Sequence, residues 1–234
     1  VNEIVVAARF NGPPGSGNGG YTCGLVAAAY ALPRAEVTLR RPPPLDTPLR
    51  VADDGVYDGG HLVATAAEPA EPVNAVAGPA FPGYDAARGA ERRYAGLRNH
   101  PFPTCFSCGP GRPDGLGLAP GPVGDAHVAT TWVPHASLAD GDGIVAPEFV
   151  WAALDCPGAW ALMQTDEAPI VLGRFAVEVT GNVRAGQPHV VSGWRAKDRE
   201  GRKHFAGTAL YDAAGTPLAT GRATWVALQS GGAS

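Results

Sequence analysis

The stretch Asp142–Met163, DGIVAPEFVWAALDCPGAWALM, decides the fold. Pro147 suits the first position of a helix, where its missing N–H leaves no bond unmade. Glu148 falls in the first turn, where the helix dipole favours an acid. Phe149, Val150, Trp151, Ala152, Ala153 and Leu154 are apolar on every face, and such a helix is buried rather than half-exposed. The pattern predicts one buried helix over 146–163, with Pro157-Gly158 as a point where it can kink. Asp155 then lies in the middle of a buried helix. A buried acid costs free energy unless something offsets it. It is either a satisfied structural carboxylate or a working one, and it is the sharpest functional hint in the chain.

Composition bounds the rest. Of 234 residues, 45% are hydrophobic and 17% charged, enough for a sizeable core and too apolar for wholesale disorder. The abundance of Gly (32) and Pro (23) predicts many turns. The net charge is −4 and basic residues are not clustered, so nucleic-acid binding is not expected. No apolar run reaches the ~18 residues of a membrane span, and the start, VNEIVVAARF, has no basic segment followed by a long apolar one. Cys23, Cys105, Cys108 and Cys156 do not form the framework of a disulfide-stapled secreted domain, which points to a reducing cytoplasm.

Outward from the central helix, two similar series of elements emerge. The first runs as a strand over 1–10, a loop of turn residues over 11–20 (NGPPGSGNGG), a helix over 21–32 ended by Pro33, and strands at 35–40, 49–52, 56–57 and 61–67. Residues 69–103, rich in Pro, Ala, Gly and Arg, read as a surface connection with one short helix in AARGAERRYAGL. The second runs as a strand at 126–132, a loop, the helix at 146–163, and strands at 171–183, 188–195, 203–211 and 218–228, with hairpin turns at Asp198–Gly201 and Asp212–Gly215. Ala35-Glu36-Val37-Thr38 follows the first helix as Val177-Glu178-Val179-Thr180 follows the second. The series repeat, and one buried helix with one antiparallel sheet, twice, is an α+β architecture.

This arrangement resembles the hotdog fold, in which a sheet wraps a central helix, and more narrowly the acyl-CoA thioesterase superfamily in a double-hotdog form. The implied division is a first repeat over 1–68, a connecting segment over 69–103 and a second repeat over 104–234. In that family His-Gly-Gly opens the central helix and an acid follows nine positions after the His. The second helix keeps the acid, Asp155, and replaces the His-Gly-Gly with Ala146-Pro147-Glu148. The first keeps Gly19-Gly20, has Asn18 in place of the His, and carries Ala27 where the acid would stand. Each repeat thus holds a complementary half of the motif. The resemblance implies that Asn18, Gly19 and Gly20 face Asp155 across an internal pseudo-dimer, and that the opposite pairing, Pro147 with Ala27, is dead. Cys105–Leu118, CFSCGPGRPDGLGL, also resembles a Cys-Phe-x-Cys-Gly segment found in thioesterase-like hotdog proteins.

The implied chemistry is hydrolysis of an acyl-CoA or acyl-carrier thioester. The unpaired N–H groups at the first helix start would polarise the carbonyl, and Asp155 would act as general base or as nucleophile. Asn18 could bond the carbonyl or a water, or simply cap the helix. No resident cofactor is expected, CoA entering only as part of the substrate, and a homodimer of double hotdogs is one assembly the resemblance allows. Cys105 and Cys108 have a ligand-like spacing, with His100 nearby. No second pair follows at zinc-ribbon spacing, so no metal is expected. Cys23 and Cys156 read as core residues. His127, His135, His189 and His204 are scattered, and Ser16 has no partner base and acid. Arg40, Arg41, Arg174, Arg184 and Arg195 could meet CoA phosphates or merely solvate a sheet. Two rivals stand beside hydrolysis: a non-catalytic acyl-CoA binding module, and a hotdog enzyme of another reaction, such as a dehydratase or cyclase. The absence of a His from either helix start argues against the dehydratase.

Overall fold

Along Pro217–Ala227 (β11) every second residue is buried: Ala219, Gly221, Ala223 and Trp225. That alternation is what a strand with one face against a core requires. The computed structural model, which describes residues 2–32, 34–75, 77–163 and 169–228, places β11 inside a single antiparallel sheet. The other strands are β1 (Glu3–Val5), β2 (Arg34–Leu39), β3 (Pro48–Ala52), β4 (Gly55–Asp58), β5 (His61–Ala67), β6 (Gly121–Gly124), β7 (His127–Trp132), β8 (Ile170–Val179), β9 (His189–Glu200) and β10 (Lys203–Asp212). The helices are α1 (Gly19–Ala29), α2 (Tyr84–Ala90) and α3 (Pro147–Met163).

The order across the sheet is β1-β3-β4-β5-β2-β8-β11-β10-β9-β7-β6. Outward from the β2–β8 seam, the same succession is met in both directions: β2-β5-β4-β3-β1 on one side, β8-β11-β10-β9-β7 on the other. At the seam Ala35 pairs with Val177, the two residues that lead the matching sequence segments. Glu36 pairs with Ala176 and Arg34 with Glu178, a register consistent with a local two-fold axis beside Ala35 and Val177.

α1 and α3 lie on one face of this sheet and pack on each other. Their approach is close because α1 presents glycine there. A Cβ on Gly20 would meet the Trp151 carbonyl oxygen at 2.5 Å, and one on Gly24 would meet Glu148 Cα at 2.5 Å. α3 continues through Pro157 as one helix. The strand beneath it makes room at Gly193, where a Cβ would lie 2.3 Å from the Pro157 carbonyl.

Several expectations shift. The first strand is confined to Glu3–Val5, because Ala8 N–H turns to Asp46 Oδ1 (2.8 Å) and a 3₁₀ turn follows at Ala8–Phe10. Val1 and Pro33 lie outside the described residues. α1 starts two residues earlier than expected, since Asn18 caps it. β8 ends at Val179, where Thr180 and Gly181 N–H both turn to the Leu218 carbonyl. β9 runs on to Glu200, so the hairpin turns at Gly201-Arg202, with Gly201 in the left-handed region (φ 58°).

The segment 69–103 is not simply a surface connection. Ala87 and Ala90 of α2 and the nearby Tyr94 are buried. Ala87 packs with Ala129 and Val190, whereas Val128 and Val191 belong to the main core. Successive strand residues point to opposite faces, so α2 covers the back of the sheet. Glu91 fastens it there, accepting from Thr131 N–H (2.7 Å) and Thr131 Oγ1 (2.6 Å).

Candidate active site

The loop 11–17 delivers the chain to the start of α1. Asn18 N–H donates to the Phe10 carbonyl (2.7 Å) and Gly17 N–H to the Pro43 carbonyl (2.9 Å), which fixes where the helix begins. Phe10 stacks on Tyr21 (centroids 4.1 Å apart) and meets Phe106 edge-on (4.9 Å), tying this loop and the 105–108 turn to α1.

A helix start leaves four N–H groups without intrahelical partners. Three have partners here. Tyr21 N–H donates to Asn18 Oδ1 (2.8 Å), so Asn18 caps the helix as its residue type favours. Asn18 N–H is the one already bonded to the Phe10 carbonyl, while the Asn18 carbonyl accepts the first intrahelical bond, from Thr22 N–H (2.9 Å). Gly20 N–H donates to Asp155 Oδ2 at 3.0 Å. Gly19 lines a cavity, and its N–H is the one of the four with no partner among the described residues.

Asn18, Gly19, Gly20 and Asp155 are therefore brought together, with one difference from expectation. Gly20 N–H is engaged by the acid rather than turned to the cavity, because the glycine contact between α1 and α3 sets the carboxylate directly on the first turn. The counterpart positions carry no such pair: Pro147 lacks an N–H, and Ala27 is buried without a polar side chain.

Asp155 is 3% exposed. Burial pushes its carboxyl up to about 7, and the Gly20 hydrogen bond pulls back against that rise. Its second oxygen, Oδ1, is buried and has no hydrogen-bond partner among the described residues. A buried acceptor left unpaired is costly, and such sites concentrate where chemistry is done.

The cavity holds about 380 Å³, the scale of a small-molecule site. Asn18, Gly19 and Asp155 form part of its wall, Trp160, Leu172 and Trp225 give it an apolar side, and Arg40 and Arg41 stand exposed at its rim. Of the other arginines, Arg174 and Arg222 pair with Glu36, and Arg184 reaches the Asp142 carbonyl.

Sequence spacing did not anticipate how the cysteines gather. The sulfurs of Cys105, Cys108 and Cys156 all lie within 4.8 Å of one another, and Cys105 and Cys156 are 3.8 Å apart. All four cysteines are free thiols. Ser107 Oγ donates to the Ala152 carbonyl (2.8 Å), holding the Cys-Phe-Ser-Cys turn on α3 beside Cys156. Cys156 is far from the other two in sequence, and the one local hint was its place next to Asp155. Among the described residues no helix is long and apolar enough to cross a membrane.

No family model matches the chain, and no curated protein does. Solved structures do. A candidate thioesterase from Novosphingobium aromaticivorans aligns over 97% of this chain and 94% of its own, at 14% identity and a TM-score of 0.63. An acyl-CoA hydrolase from Staphylococcus aureus aligns over 45% of this chain and 65% of its own (13% identity, TM-score 0.42). The E. coli PaaI protein aligns over 48% and 80% (12% identity, TM-score 0.44). The last two scores are too low to speak for the fold. The first alignment shows it over nearly the whole length: a hotdog-like α+β fold, shared with that protein.

Proposed function

We propose that this chain is a thioester hydrolase, acting on an acyl-CoA or acyl-carrier thioester at the junction of α1 and α3. The observation that carries this reading is the 3.0 Å bond from Gly20 N–H to Asp155 Oδ2 in the wall of an apolar cavity. That bond orients the carboxylate and leaves Oδ1 as the reactive oxygen. Gly19 N–H and the positive end of α1 stabilise the charge that develops on the thioester oxygen. In one route Oδ1 takes a proton from a water that attacks the carbonyl carbon, the C–S bond breaks, and that proton passes to the departing sulfur. In the other Oδ1 itself attacks, the C–S bond breaks to release the thiolate, which takes a proton from water, and water then opens the mixed anhydride. A carboxyl near pH 7 suits the first route. The acyl group occupies the apolar side of the cavity, and Arg40 and Arg41 at the rim receive the phosphates of CoA.

In this reading the chain is a double hotdog, with repeats over 1–68 and 104–234 joined by 69–103. The repeated strand order and the register at Ala35 and Val177 support a duplication that left one working site. Four free thiols suit a reducing cytoplasm.

The test is a panel of acyl-CoA thioesters in a thiol-release assay, with wild type and Asp155→Asn. Turnover by wild type, lost in a folded Asp155→Asn, supports hydrolysis. Tight binding with no thiol released by wild type would make the protein a binding module and overturn the reading. Single turnover in heavy-oxygen water separates the two routes, since only the mixed anhydride can leave label in Asp155.

A further inference from the structure

We propose that Cys105, Cys108 and Cys156 form a three-thiolate site for a soft divalent cation, zinc in the first place, with the fourth coordination position facing the cavity. Tetrahedral zinc with Zn–S bonds of ~2.3 Å sets its sulfurs ~3.8 Å apart. Cys105 and Cys156 already stand at 3.8 Å, and all three sulfurs lie within 4.8 Å of one another.

The groups around the sulfurs point the same way. Trp160 Nε1–H is directed at Cys108 Sγ (3.5 Å) and Asn18 Nδ2 at Cys105 Sγ (3.7 Å). His100 Nδ1 accepts from Phe102 N–H (2.9 Å), so in the neutral ring the proton sits on Nε2, which donates to Cys108 Sγ at 3.4 Å. Three N–H donors converge on sulfurs that, as thiols, would carry protons of their own. Thiolates accept these bonds far better. His100 therefore serves the site as a donor to sulfur rather than as a ligand, because a ligating Nε2 would need its proton on Nδ1.

The Cys-x-x-Cys turn is shaped for this. Gly109 N–H donates to the Cys105 carbonyl (2.8 Å), and a Cβ on Gly109 would fall 2.5 Å from Cys105 N, so only glycine closes the turn. A bound dication permits three thiolates and releases their protons on binding.

Cys156 adjoins Asp155, and Cys105 touches Asn18. The metal would therefore pin the turn to α3 at the cavity wall. The assignment does not depend on the reaction catalysed, and metal content tests it independently of turnover. Elemental analysis of the protein as purified under reducing conditions should find about one zinc per chain. Cobalt(II) added to metal-stripped wild type should give thiolate-to-metal charge transfer and the visible bands of a tetrahedral site. Cys156→Ser should lose the metal, and Cys23→Ala, outside the cluster, should keep it. His100→Gln should retain it with an affinity lower by about 10–100-fold. Wild-type protein that takes up neither zinc nor cobalt when reduced would overturn the proposal. So would a disulfide between Cys105 and Cys156 in protein purified without reductant under native conditions.

Discussion

Gly20 and Asp155, 135 positions apart in the chain, are joined by a 3.0 Å hydrogen bond from the first turn of α1 to the middle of α3. It exists because Gly20 has no side chain. A Cβ there would meet Asp155 Cβ at 2.6 Å and the Trp151 carbonyl at 2.5 Å. The acid reaches a helix start only because two helix backbones touch.

Replacing the acid tests its role directly. Asp155→Asn keeps size and shape in a buried position and removes the basic and nucleophilic oxygen. Thiol release should fall by about 10²–10⁴-fold, the usual contribution of a positioned acid or base, with circular dichroism unchanged. Stopped-flow or endpoint thiol assays on the same acyl-CoA read the loss.

Filling the helix contact should damage stability. Gly20→Ala and Gly24→Ala each drive a methyl into α3 backbone, and overpacking of this kind costs about 1–3 kcal/mol. Gly60→Ala, at a turn where an added Cβ meets nothing within 4 Å, should stay within about 0.5 kcal/mol of wild type. Urea denaturation midpoints at constant slope make the comparison.

Arg40 and Arg41 line the rim and are exposed. Changing both to Ala should raise KM for acyl-CoA roughly fivefold, the size expected of exposed ion pairs, and leave kcat nearly unchanged. The matching acyl-pantetheine, which lacks the nucleotide phosphates, should show no such shift. Added salt should weaken wild type toward the variant.

His127 is buried on β7, with Nε2 2.7 Å from Ser192 Oγ, and burial lowers its pKa from the ordinary histidine value. The sign follows from linkage. Below about pH 6.5 the unfolded chain takes up a proton that folded His127 resists, so stability is present above that pH and is lost as pH falls below it. The loss from this one group is at most about 1.4 kcal/mol per pH unit. His127→Gln should show a smaller drop in urea midpoint between pH 8 and pH 5 than wild type.

The sequence carried α3 nearly to its ends, because Pro147, Glu148 and an unbroken apolar run are local signals, and β5 matched at both ends for the same reason. Asp155 stood out because burial could be inferred from its neighbours alone. What stayed hidden were contacts made across long distances in the chain. The thiol cluster depends on Cys156 of α3 meeting a turn 48 positions earlier, and spacing alone does not encode that. The burial of Ala87, Ala90 and Tyr94 was hidden too, since small residues in a Gly- and Arg-rich segment do not announce a covered face. The N–H groups of the first helix start read as unpaired, and Gly20 N–H is not. That it is already bonded follows from how near the helices come, which is tertiary information.

The seam between β2 and β8 has a mechanical consequence. Paired from Arg34–Glu178 to Thr38–Arg174, it joins the strands before residue 68 and those after residue 169 in one unbroken ladder. Hinging the halves apart would sever that ladder and expose its backbone groups at once. The cavity is bordered instead by the turns around residues 12–17, 40–43 and 100–108, where a ligand could enter without breaking that ladder.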